Sequence, residues 1–321
     1  MVSEVAGVRV GHWTDAAAGT GCTVVLPPPG SAGGVEVRGG GPATRDTDLL
    51  APLASVHDVT ALVLSGGSAF GLDTASGVAR WCEERGLGHD TGAARVPVVP
   101  AACIYDLGIA ADGPRPGADQ GYAACEAAAS GPHAVGSVGA GTGATVGKLR
   151  AQAGWCKGGL GAGSRRLYDG TTVAALAVVN AWGDVLDEAG AVLAGAFDPR
   201  VGFLGATRRV IEAPPEHPRL AAPGSTTLAC VVTDARLHRS ECSIVARMAQ
   251  AGVARAVSPV HTPLDGDAVF CLATGARLAS TFACGVAAAE AVADAIRDAV
   301  RSATSLRGVP TAAERRAGLS G

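Results

Sequence analysis

Short apolar runs alternate with segments of helical period along most of this chain, and that alternation admits few folds. Residues 59–65, 96–99, 173–179, 228–232 and 268–274 read as buried strands. Residues 68–85 read as a helix, opened by a Gly-Gly-Ser turn and turning Leu72, Val78 and Trp81 inward. Residues 239–256 repeat apolar side chains near every 3.6 positions through Ile244, Val245, Met248 and Val253, and 282–302 form a long alanine-rich helix. Strands interleaved with helices imply an α/β architecture. Aromatic residues make up only 4% of the chain, so its core is packed from Ala, Val and Leu, and 46 glycines allow backbones to approach closely. At 321 residues the chain could hold two average domains or one large α/β domain.

Several function classes are excluded by composition. The net charge is −3 with no basic run, which argues against nucleic acid and anionic membrane surfaces. The start Met-Val-Ser-Glu has no basic segment followed by an apolar one, and no apolar run is long enough to span a bilayer. The nine cysteines are scattered, odd in number and never spaced Cys-x-x-Cys. Reduced, mostly buried thiols in a cytoplasmic protein are therefore expected, with neither a disulfide framework nor zinc. The seven histidines show no metal-ligand spacing. Gly139, Gly141 and Gly143 ahead of Lys148 imitate a phosphate loop but miss both templates. Position 144 holds Ala where a dinucleotide fingerprint needs Gly, and Leu149 stands where a P-loop needs a hydroxyl. Gly66-Gly67-Ser68-Ala69 begins like a nucleophile elbow, but Phe70 occupies the closing position.

The stretch 224–235, Gly-Ser-Thr-Thr-Leu-Ala-Cys-Val-Val-Thr-Asp-Ala, is different in kind. A turn leads straight into hydroxyl residues at the mouth of a core strand. Were the peptide bond before one of them cut, a single residue would carry a nucleophilic oxygen and a free α-amine. Such an amine titrates near ~8 and can take the hydroxyl proton at neutral pH. The preceding residues 208–224 include four prolines and several charges and read as a loop. The tail from Leu306 reads as polar and frayed.

The chain resembles the family of L-aminopeptidase/D-esterases, β-peptidyl aminopeptidases and nylon-oligomer hydrolases over nearly its full length. The resemblance runs through Val10-Gly11-His12-Trp13-Thr14-Asp15, Gly21-Cys22-Thr23-Val24-Val25-Leu26 and the segment 37–48 with its Arg38-Gly39-Gly40-Gly41-Pro42 core. It continues through Ser65-Gly66-Gly67-Ser68-Ala69-Phe70-Gly71-Leu72, Val96-Pro97-Val98-Val99-Pro100-Ala101-Ala102 and Gly139-Ala140-Gly141-Thr142-Gly143-Ala144 with Lys148. It closes on the segment from Ser225 and His261-Thr262-Pro263-Leu264-Asp265-Gly266-Asp267.

The resemblance implies a four-layer αββα sandwich in a single domain, made as a precursor that cuts itself into chains 1–225 and 226–321. It implies an N-terminal-nucleophile hydrolase acting on small peptides, amides or esters, with no metal or organic cofactor, as a homo-oligomer of four or more copies. Counting back ten residues from Ala235, with both ends included, puts the nucleophile at Thr226, after Ser225; Gly224-Ser225 imitates an alternative cleavage pair with Ser225 as nucleophile. The matching positions make Asn180 an oxyanion donor and Asp265 and Asp267 the acidic pair at the nucleophile. Lys148 becomes a nearby cation and Tyr105 a wall of the substrate pocket. An acyltransferase of the ornithine acetyltransferase type and an uncleaved, non-catalytic homologue are the alternatives.

Overall fold

A computed structural model describes residues 1–110, 113–212 and 224–319. Its main strands are β1 (Arg9–Asp15), β2 (Thr20–Leu26), β3 (Ala32–Val37), β4 (Thr44–Arg45), β5 (Leu62–Ser65), β6 (Ala101–Cys103), β7 (Gly159–Arg166), β8 (Thr172–Asn180), β9 (Thr226–Ala235) and β10 (Ala268–Arg277). The main helices are α1 (Thr74–Glu83), α2 (Ala118–Glu126), α3 (Arg239–Ala256), α4 (Thr281–Arg301) and α5 (Ala312–Ala317). One five-stranded sheet runs β1-β2-β5-β6-β4, and the other runs β7-β8-β9-β10-β3. In the second, β9 lies antiparallel to β8 and parallel to β10, which in turn lies antiparallel to β3. A parallel pair needs a long crossover, and α3 supplies it between β9 and β10.

Side-chain alternation sorts the second sheet into two buried faces. Leu176, Val178, Leu228, Cys230, Phe270 and Leu272 pack across the interior with Val25, Leu62, Leu64 and Ala102 of the first sheet. Their neighbours Ala175, Val179, Ala229, Val231, Val269 and Cys271 pack under α3 and α4. The outer face of the first sheet, with Cys22, Val24 and Val63, is covered by Val78 and Trp81 of α1 and Ala124 and Cys125 of α2. The layers are therefore helix, sheet, sheet, helix, as the family resemblance implies. Strands buried on both faces read as continuous apolar runs, and this is why β8, β9 and β10 are legible in the sequence.

The small-residue composition has a structural use where β7 meets α4. A β-carbon on Gly161 would lie 2.1 Å from the Ala295 carbonyl oxygen, and one on Gly163 would lie 2.3 Å from that of Ala291. Helix and strand touch backbone to backbone there, which larger residues on either side would prevent. All nine cysteines are buried and unpaired, and burial pushes the thiol of Cys22 up to about 12 and those of Cys82 and Cys284 to about 11.

Four sequence expectations need correction. Residues 96–99 are no core strand. Arg95–Val96 forms a small exposed pairing with His89–Asp90, and the core strand is β6, beyond Pro97 and Pro100, which cannot donate to a ladder. Residues 68–73 form a 3-10 turn, and the α-helix begins only at Thr74. Residues 208–212 belong to a helix, Ala206–Glu212, that lacks Pro and Gly and carries an Arg208–Glu212 pair one turn apart. The rest of the expected loop, 213–223, lies outside the described residues. Finally, the tail is anchored. Thr311 and Glu314 cap α5 reciprocally, and Arg307 donates from Nε to the Ile109 carbonyl at 2.6 Å. Among the described residues no helix is long and apolar enough to cross a membrane.

Candidate active site

Thr226 opens β9 directly opposite Asn180, the last residue of β8. Both share the parity of Val178 and Leu228, so both side chains enter the layer between the sheets. In the continuous chain the Thr226 hydroxyl donates to the carbonyl oxygen of Ser225 at 2.5 Å. The same oxygen accepts the Gly266 backbone N–H at 2.7 Å. Ser225 is held from its other side, its N–H donating to the Leu264 carbonyl at 3.1 Å. Gly266 must stay bare, because a β-carbon there would lie 2.8 Å from Thr226 Oγ1. A hydroxyl and a backbone donor thus converge on one peptide carbonyl, the bond that links Ser225 to Thr226. The neighbouring hydroxyls differ: Ser225 Oγ and Thr227 Oγ1 are buried with no hydrogen-bond partner among the described residues.

Lys148 lies behind this bond. Its Nζ donates to the backbone and side-chain oxygens of Asn180, each at 2.8 Å, and reaches toward the Gly224 carbonyl at 3.5 Å. Burial pulls its pKa down to about 7, against the opposing charges of Asp265 and Asp106. It therefore changes charge around neutral pH. The Asn180 amide nitrogen donates to the Tyr105 carbonyl at 3.0 Å, which leaves one further N–H on that nitrogen. Tyr105 packs against Gly224 so closely that a β-carbon on this glycine, whose φ is +71°, would lie 2.2 Å from the Tyr105 Cβ. Tyr105, Lys148, Trp155 and Gly224 help line a cavity of about 50 Å³, room for a few waters.

The two aspartates flank Gly266 and are buried. Asp265 accepts from the Trp182 backbone N–H at 3.3 Å and from the backbone and hydroxyl of Thr262; burial, reinforced by the Asp267 charge, raises its pKa. Asp267 accepts the Thr227 N–H at 2.7 Å on one oxygen and both the backbone N–H and Nδ1 of His261 on the other. The Asp267 carboxylate holds the backbone just after Thr226, and the Asp265 carboxylate holds Trp182 and the turn at Thr262; among the described residues neither carboxylate bonds Thr226 itself. Among the described residues no group of three or more His, Cys, Asp or Glu side chains converges where a metal could sit.

A family model of peptidase family S58 matches residues 1–313. The chain belongs to peptidase family S58. It is 46% identical over 290 residues to an uncharacterized aminopeptidase of Mycobacterium tuberculosis, covering 86% of this chain and 81% of that protein. It is 33% identical over 279 residues to a 6-aminohexanoate-oligomer endohydrolase of Paenarthrobacter ureafaciens, covering 84% and 73%. In fold it resembles a β-aminopeptidase of Burkholderia sp., with a TM-score of 0.72 at 24% identity over 99% of this chain and 93% of that one. It also resembles the L-aminopeptidase D-Ala-esterase/amidase of Ochrobactrum anthropi, an Ntn-hydrolase variant, with a TM-score of 0.72 at 20% identity over 99% and 93%. The S58 protein is a hydrolase of the aminopeptidase and amide-hydrolase type.

Sequence reasoning missed four features of the S58 site. The Gly266 N–H is a backbone group, and residue type carries no sign of where it points. His261 was visible as the first residue of the resemblance motif 261–267 and as one of seven histidines without metal-ligand spacing, but no role was read for it. A second buried lysine, Lys157, donates to the carbonyls of Thr142 and Ala144 at 3.0 and 2.7 Å, and burial lowers its pKa to about 7. Beside the same cavity Asp106 accepts from Thr20 Oγ1 at 2.6 Å and the Gly67 N–H at 2.7 Å. Asp106 directly follows Tyr105, and that adjacency was the available signal.

Proposed function

We propose that this S58 hydrolase is made as a precursor, cuts itself between Ser225 and Thr226, and then uses the new N-terminal threonine to hydrolyse amide or ester bonds of small amino-acid-derived substrates. The observation that carries this reading is the convergence of the Thr226 hydroxyl and the Gly266 N–H on the Ser225 carbonyl. In the first step Thr226 Oγ1 attacks the Ser225 carbonyl carbon, and the C–N bond to Thr226 breaks. The acyl group passes from nitrogen to oxygen as an ester. Water then cleaves that ester, leaving a Ser225 carboxylate and a free Thr226 amine. The Gly266 N–H stabilises the developing oxyanion, a contribution of about 3–4 kcal/mol for one well-placed donor.

In turnover the freed amine is the general base for its own hydroxyl. Thr226 attacks the substrate carbonyl, the amine or alcohol leaves, and water releases the acyl group. Asn180, with its remaining N–H, is the side-chain oxyanion donor. Lys148 supplies a group that gains or loses charge near pH 7 beside Asn180. Asp267 holds the backbone just after Thr226, Asp265 holds the turn that carries Gly266, and Tyr105 walls the pocket beside Gly224. The names of the relatives, an aminopeptidase and a 6-aminohexanoate-oligomer hydrolase, support small amine-bearing amides as substrates. Nine buried, unpaired thiols support a reducing compartment.

Intact mass and N-terminal sequencing of the purified protein test the reading. The expected result is two chains, the smaller starting Thr-Thr-Leu-Ala, and one whole chain when Thr226 is changed to Ala. A start at Ser-Thr-Thr moves the nucleophile to Ser225. A wild-type chain that remains whole at 31.6 kDa overturns self-processing.

A further inference from the structure

His261 stands outside every step above, yet its placement is specific. It is one of four non-glycine residues with positive φ among those described, at +54°. Histidine is among the side chains better tolerated there, but the conformation is still a costly one to hold. What holds it is Asp267, whose Oδ2 accepts both the His261 N–H at 3.1 Å and Nδ1 at 2.8 Å. A carboxylate only accepts, so Nδ1 carries the proton. The other oxygen of Asp267 accepts the Thr227 N–H at 2.7 Å. The chain of contacts therefore runs from His261 through Asp267 to the peptide group that directly follows the nucleophile. The imidazole is largely covered, its side chain 18% exposed, and Asp267 is 2% exposed. His261 also borders a cavity of about 370 Å³ lined by α3 and α4.

We infer that His261 is a positioning residue for the nucleophile: its Nδ1–H fixes the Asp267 carboxylate so that Asp267 grips the Thr227 N–H and holds Thr226 Oγ1 at the Ser225 carbonyl. This rests on the self-processing reading above. Without the imidazole one oxygen of Asp267 loses its side-chain donor, and the carboxylate is free to rotate away from Thr227. Displacements near 1 Å at a nucleophile cost up to ~100-fold in rate.

Two substitutions separate this role from a need for the backbone turn. His261→Gly tolerates positive φ better than histidine but has no side-chain donor. His261→Asn also tolerates positive φ and puts an amide N–H close to where Nδ1 stands. Full-length wild type and both variants are followed by gel through a cell-free translation time course, which reads the self-cleavage rate. Thermal midpoints are compared on the same pair of variants carrying Thr226→Ala, which keeps every chain whole. The expected result is cleavage slowed about 10-fold or more in His261→Gly and restored to within about 3-fold of wild type in His261→Asn, at similar midpoints. Cleavage of His261→Gly at the wild-type rate overturns the positioning role, as does equal slowing of both variants. A wild-type chain that never cleaves overturns the self-processing reading itself, and the proposal with it.

Discussion

Two hydroxyls one residue apart have opposite surroundings at the start of β9. Thr226 faces the layer between the sheets and bonds the Ser225 carbonyl, whereas Thr227 faces the helix layer and its hydroxyl finds no partner among the described residues. A buried hydroxyl without a partner costs on the order of 1–3 kcal/mol. Thr227→Val keeps the shape and removes that cost, so the variant should process within about two-fold of wild type and melt at the same temperature or higher. Thr226→Val should not process at all. A fall of several degrees in the Thr227→Val melting temperature would mean that this hydroxyl is bonded after all. That Asn180 stands beside Thr226 was legible only through the family resemblance; strand alternation says no more than that Thr226 and Thr227 face opposite sides. The Gly266 N–H was not legible, because its direction depends on how a turn between Thr262 and Asp267 folds over Ser225.

Elements were legible where the apolar pattern is continuous rather than wherever they are buried: Thr20–Leu26 is buried throughout, yet it was not read as a strand. β8, β9, β10, α3 and α4 announce themselves by unbroken apolar runs or a clear helical period. β1 and β7 do not, since Gly11, His12 and Thr14 interrupt the one and Gly159, Gly161 and Gly163 the other. The same glycines that hide β7 let α4 settle against it. Gly161→Ala puts a β-carbon 2.1 Å from the Ala295 carbonyl oxygen and 2.2 Å from the Ala299 nitrogen, both backbone atoms that cannot swing aside. The expected loss is about 2 kcal/mol or more in urea unfolding, in the range for overpacked cores. Gly318→Ala is the control, because an added β-carbon there meets nothing nearer than 3.7 Å, and its stability should stay within about 0.5 kcal/mol of wild type. Equal midpoints for the two variants would show that α4 can move off β7 at no cost.

At the scale of the whole molecule, buried titratable groups set a window of stability. Lys148 and Lys157 are depressed from 10.5 to about 7 by burial. Between those values the unfolded chain binds more protons than the folded one, so stability rises as pH climbs through that range. The thiols act in the other direction. Cys22, Cys82 and Cys284 are raised from 9 to about 12, 11 and 11, so the unfolded chain ionises first and stability falls as pH passes 9. On the acid side His12 and His133 are lowered from 6.5 to about 4 by burial, and stability is lost as pH falls across that interval. Calorimetry on the Thr226→Ala chain should find its melting temperature climbing from pH 6 to a maximum near about 8–9, then declining. Lys157→Met removes one of the two lysines and should flatten the climb. A profile level from pH 6 to 9 in the parent chain would mean that both ammonium groups are better solvated than their carbonyl partners suggest.

The order β7-β8-β9-β10-β3 has a consequence for the severed protein. With the bond before Thr226 broken, β9 and β10 belong to one polypeptide, while β8 on one side and β3 on the other belong to its sibling. The smaller polypeptide is gripped along both edges of its two strands, so it cannot leave without tearing the central sheet. Unfolding then releases two molecules where there had been one. An uncut chain would melt at a temperature independent of how much of it is present, whereas the cut pair that the proposed processing would yield would obey mass action, and diluting it would lower the temperature at which it comes apart.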